Sequence, residues 1–85
     1  MAFLIRTQDQ TQQKRLLVCE SAHAAESLSA ALEAFGFPVV VEHVAVFRDP
    51  ITMQRFCIVD GERYWLHDRS WGAELKKQEV HYDVV

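Results

Sequence analysis

Hydrophobic and polar positions alternate along this chain with two different periods, and the changes of period divide it into elements. The opening Met-Ala-Phe-Leu-Ile-Arg-Thr is a short apolar run with no basic stretch ahead of it. It reads as a first strand rather than a secretory leader. The polar stretch Gln8 to Gln13 is the one low-complexity segment and predicts an exposed loop. A second strand follows from Arg15 to Glu20.

At Ser21 the period changes from two to 3.6. The Ser21 hydroxyl is a candidate N-cap. Ala24, Ala25, Leu28, Ala31, Leu32 and Phe35 then trace one helical face, while His23, Glu26, Ser29 and Glu33 lie mostly off it. Gly36 suits the left-handed C′ position, Phe37 can contact Leu32 as in a Schellman motif, and Pro38 blocks continuation. The β-branched run Val39 to Phe47 predicts a strand. Val39, Val41, His43, Ala45 and Phe47 share one face of it, and Val40, Glu42, Val44 and Val46 the other. Because both faces are apolar, this strand is expected to be central and covered.

Asp49-Pro50 marks a turn before the most informative segment. Met53 to Val59 and Glu62 to His67 flank Asp60-Gly61, the pair favoured by a two-residue type I′ hairpin turn. Such a turn dictates the register: Val59 opposite Glu62, Ile58 opposite Arg63, Cys57 opposite Tyr64, Phe56 opposite Trp65. Phe56, Ile58 and Trp65 then share one face, and Cys57, Val59, Tyr64 and Leu66 the other. Beyond the hairpin, Asp68 or Ser70 is placed to cap a short helical turn through Leu75, weakened by Gly72. Glu79 to Val85 alternates as a half-buried strand, with Val80, Tyr82 and Val84 on one face.

The predicted order is β-β-α-β-β-β-(short α)-β. It implies an α+β fold: a small, mainly antiparallel sheet with one long helix packed on one face. The part from Arg15 onward approximates a split β-α-β unit. With 85 residues there is room for one core, so residues 1–85 form a single domain.

Composition narrows the function classes. At 49% hydrophobic and 25% charged the chain is ordinary globular material. A net charge of −3 supplies no general field for a nucleic-acid backbone, although a local basic patch remains compatible with it. No stretch reaches the roughly 18 apolar residues of a membrane span. Cys19 and Cys57 fall inside predicted strands, outside any paired motif. They read as small buried hydrophobes in a reducing, cytoplasmic setting.

Catalytic signals are sparse. There is no Gly-x-Ser-x-Gly, paired-cysteine motif or glycine-rich phosphate loop. His81 and Asp83 share a strand face, but a metal would need further ligands and nothing in the chain brings His43, His67 or Asp68 to them. His67-Asp68 reads as a strand end followed by a cap. His43, within an apolar strand, reads as a buried neutral imidazole.

The strongest candidates for a binding role are Phe56, Arg63, Trp65, His67, Arg69 and Trp71. Arg63, Trp65 and His67 share a strand face, and Trp and Arg dominate the energetics of protein interfaces. The same face is also of a kind that stacks single-stranded bases.

The hairpin and the Val39 strand are apolar on both sides, and one helix cannot cover both. Either a second copy or another protein covers the rest, or the N-terminal strand and Trp71 to Leu75 fold over it. The expectation is a small non-catalytic interaction or regulatory protein with no cofactor. It would be of the bacterial or phage accessory kind, homodimeric or bound to a protein partner. Two further classes stand beside it. One is a single-stranded nucleic-acid binder using the Arg/Trp face. The other is a small metal-dependent or acid–base enzyme using His67, His81 and Asp83.

Overall fold

The computed structural model describes residues 2–67 and Trp71. Its elements are β1 (Ala2–Gln8), β2 (Lys14–Cys19), α1 (Ala22–Ala34), β3 (Val39–Val44), β4 (Val46–Arg48), β5 (Arg55–Val59) and β6 (Glu62–Leu66). Of the expected short helical turn only Trp71 is among the described residues, where it forms a parallel bridge with Val18; the expected strand over 79–85 lies outside them. The fold is α+β, but its strands form two antiparallel three-stranded sheets rather than one, ordered β2-β1-β3 and β4-β5-β6.

β2 and β3 are both antiparallel to β1, which lies between them. β2-α1-β3 is therefore a split β-α-β unit, as the chain order suggested. The crossover helix carries β3 past β1 to the far edge of the first sheet. That overturns the expectation of one central Val39–Phe47 strand. The run breaks at Ala45 into β3 and β4, which are edge strands of different sheets. The central strands are β1 and β5. Side-chain alternation survives the break: Val44 and Val46 both pack into the space between the sheets. A strand that bends from one sheet to the other makes this kind of corner.

Two hydrophobic clusters give the molecule three layers. Ala2, Leu4, Val18 and Val44 of the first sheet meet Cys57, Val59, Tyr64 and Leu66 of the second. On the opposite face of the first sheet, Ile5 and Cys19 pack against Ala25, with Leu28 and Leu32 partly buried beside them. Leu4, Ile5 and Val18 are fully buried, each contributing roughly 1.5–3 kcal/mol of transfer free energy. Cys19 and Cys57 are free, buried and in different clusters, with the first sheet between them. Burial pushes both thiols up from their ordinary pKa.

The ends of the helix form as their residues dictate. The Ser21 hydroxyl accepts from the Ala24 N–H at 3.1 Å. At the other end Gly36 N–H donates to the Glu33 carbonyl (2.9 Å) and Phe37 N–H to that of Leu32 (3.1 Å), the two bonds of a Schellman motif. Gly36 has φ +85°, the left-handed conformation the motif needs.

The helix has 13 residues rather than being long, and its buried stripe is Ala25, Leu28, Ser29 and Leu32. Phe35 was expected on that stripe but is 80% exposed. It is the C-cap residue, and its backbone already leaves the helix. Ser29, expected off the stripe, is buried, and its hydroxyl has no hydrogen-bond partner among the described residues.

One polar cluster ties the second sheet to the first. The Arg6 guanidinium donates to both Asp60 carboxylate oxygens (2.9 and 3.0 Å), and its Nε donates to Glu42 (2.8 Å). Asp60 thus forms half of the hairpin turn and also fastens its tip to β1. These bonds raise the Arg6 pKa, through Asp60 first and Glu42 second, and hold Asp60 below the usual carboxylate range.

Candidate binding face of the second sheet

Asp60 and Gly61 both adopt positive φ (52° and 79°), and the hairpin has the register a two-residue turn dictates. The inner face of the hairpin, Cys57, Val59, Tyr64 and Leu66, is covered by the first sheet and not by the helix. The outer face holds Phe56, Ile58, Arg63 and Trp65. β4 then pairs with β5 so that Phe47 lies opposite Phe56. The result is an aromatic row running across all three strands.

The Phe47 and Phe56 rings are stacked at 5.5 Å between centroids, 28° apart. Phe56 and Trp65 meet edge to face at 5.2 Å. Such pairs are worth ~0.5–1.5 kcal/mol beyond their buried area. The Arg63 guanidinium lies 4.4 Å above the Phe56 ring and 5.4 Å from that of Trp65, within cation–π range. Phe47 and Ile58 are each 47% exposed, while Phe56 and Trp65 are half-buried by one another and by Arg63. No described element packs over this row.

The loop joining β4 to β5 is held by Asp49, whose carboxylate accepts from the Ile51 and Thr52 N–H groups (2.8 and 3.1 Å). These two bonds lower the Asp49 pKa, and the nearby charge of Arg63 lowers it further. Ile51 and Met53 of the same loop are strongly exposed apolar residues, 89% and 57%.

Of the residues picked from sequence, the structure groups Phe56, Arg63 and Trp65. His67 is exposed just past the end of β6. Arg69 lies outside the described residues. Trp71 sits elsewhere: it packs against the core between the sheets, bridges Val18 at the outer edge of β2, and carries the Arg55 guanidinium 5.3 Å above its ring. Phe47 belongs to the row but was not singled out. Its alternation with Val46 was legible, whereas its neighbours depend on the corner at Ala45.

His43 is exposed rather than buried and rests against the Phe3 ring at 4.7 Å, because β3 is an edge strand. His81, Asp83 and Asp68 lie outside the described residues. Among the described residues no three His, Cys, Asp or Glu side chains gather as a metal site, and no helix is long and apolar enough to cross a membrane.

No protein-family model, curated protein or solved structure matches this chain.

Proposed function

We propose that this chain is a small non-catalytic interaction module, regulatory in role, that binds another protein through the outer face of its second sheet. The observation that carries the reading is the Phe47–Phe56–Trp65 row with Arg63 above it, three aromatics and a cation on a rigid sheet face. Aromatic and arginine side chains supply most interface hot spots, because rings bury large area at low entropic cost and a guanidinium offers a planar fork of donors. The central strand β5 and a hairpin fixed by its turn hold them in place before binding, which lowers the ordering cost of association.

Charge favours protein over nucleic acid. Between Val46 and Leu66, Arg48, Arg55 and Arg63 are balanced by Asp49, Asp60 and Glu62, so the second sheet offers no net field to a phosphate backbone.

The test is a photoreactive phenylalanine analogue placed at position 47, 58 or 65 in cells, with position 12 in the loop between β1 and β2 as control. Discrete adducts of one mass from the sheet positions and none from position 12 support the reading. Indiscriminate labelling at all four positions overturns it. So does binding of an oligonucleotide that weakens steeply with salt.

A further inference from the structure

We infer that the groove between α1 and the open edge of β3 accepts an extended peptide strand carrying basic side chains. This site is separate from the aromatic face and does not depend on it. β3 ends the first sheet, and its outer edge has no partner strand among the described residues. Edge strands are normally blunted by shortness, charge, proline or cover. The other edges follow that rule: β2 begins Lys14-Arg15 and meets Trp71, β4 has three residues and ends in Arg48, and β6 carries the adjacent charges Glu62 and Arg63. β3 has six residues, four of them valine, with Val40 and Val41 59% and 44% exposed.

Beside that edge lies a groove of about 390 Å³. Phe3, Ala25, Ala30 and Val41 make it apolar, and Glu26 and Glu33 of α1 line it as well. Neither carboxylate has a hydrogen bond or ion pair among the described residues. An unpaired strand edge next to a helix is the geometry of β-strand addition: main-chain bonds give affinity, and alternate side chains enter the groove.

The two carboxylates decide the occupant. A second copy added across this edge by a two-fold axis would place both helices on one face of the joined sheet, with Glu26 and Glu33 of each near those of the other. Like charges there oppose self-pairing. They attract a peptide with Lys or Arg instead. Glu26 and Glu33 are seven residues apart, ~10 Å along a helix. Basic residues four apart in a strand span ~13 Å on one face. The matching pattern is basic-x-apolar-x-basic, with the central apolar side chain seated over Ala25 and Ala30.

The probe is the synthetic heptapeptide acetyl-Ser-Lys-Thr-Val-Thr-Lys-Ser-amide, titrated into the full chain and followed by amide chemical shifts. Shifts should concentrate in β3 and along α1 from Ala22 to Glu33, and weaken with salt. The same peptide with both lysines replaced by glutamate should not bind. The double variant Glu26→Lys/Glu33→Lys should lose the lysine peptide by roughly tenfold, as expected for two partly exposed pairs, and gain the glutamate one. N-methylation of the peptide amides that face β3 should abolish binding, while methylation of the alternate amides should not.

Absence of shifts at millimolar peptide overturns the inference. So does equal binding of the two peptides, or indifference to N-methylation. Shifts centred on Phe56 and Trp65 would also overturn it. Trp65→Ala should leave this titration unchanged, which separates its failure from failure of the aromatic face.

Discussion

Thr7 is the clearest place to test the packing argument. It sits near the end of the central strand β1, between Arg15 and Val39, is 7% exposed, and its hydroxyl has no hydrogen-bond partner among the described residues. Burying a hydroxyl without a partner costs ~1–2 kcal/mol in proteins. Thr7→Val replaces that oxygen with a methyl of nearly the same size, keeps the β-branch that suits a strand, and buries one more methyl, worth ~0.8 kcal/mol. The variant should therefore be more stable by about 2 kcal/mol, a rise of roughly 10 °C in Tm for a domain of this size. Urea unfolding followed by circular dichroism is the direct assay. The midpoint should rise with the slope unchanged, which marks a change of stability rather than of the surface exposed on unfolding. Thr7→Ser, which keeps the hydroxyl and loses the methyl, should move the other way. If Thr7→Val is no more stable than the parent, the hydroxyl has a partner, and the argument from an orphaned polar group is wrong.

Four further outcomes are expected. Gly36→Ala should cost about 1 kcal/mol in the same assay, because a Cβ at φ +85° strains the Schellman turn; unchanged stability would mean the helix end re-forms without it. Acid should destabilise the fold. Asp9 is lowered to about 2, chiefly by the Thr11 hydroxyl and the Gln13 N–H, and Asp60 and Asp49 are also lowered. The unfolded chain thus binds more protons than the native one as pH falls from about 4, and the contribution is lost by about 2. Asp60→Asn should flatten part of that dependence in a pH series of melts. Trp65→Ala should weaken capture of the protein partner by about 2 kcal/mol or more, the size of a hot-spot truncation, with a smaller loss of fold stability; the reverse ordering would make Trp65 a folding residue. Thiol titration should find Cys19 and Cys57 slow in the native protein and both reactive once it is denatured without reductant, as two buried free thiols require.

What could be read from sequence was what short-range chemistry determines. Asp60-Gly61 sets the hairpin register because two residues in positive φ leave only one way to pair the flanking strands. Ser21, Gly36 and Phe37 set both ends of the helix, since caps are made within a few residues of the groups they satisfy. The inward set of the hairpin, Cys57 with Val59, Tyr64 and Leu66, follows from alternation once that register is known.

Tertiary structure decided which element lies against which. Val39 to Phe47 has the composition of a covered central strand. The crossover of α1 nevertheless sends β3 to an edge, and the bend at Ala45 delivers Phe47 to the second sheet, beside Phe56. Trp65 and Trp71 look alike in sequence, six residues apart. One faces out across the second sheet, and the other is drawn against the core by Val18, which lies more than fifty residues earlier in the chain. Ser29 and Thr7 are polar by type and buried by position. Burial is a property of what packs on a residue, and those neighbours are chosen by contacts between distant segments. No local period encodes them.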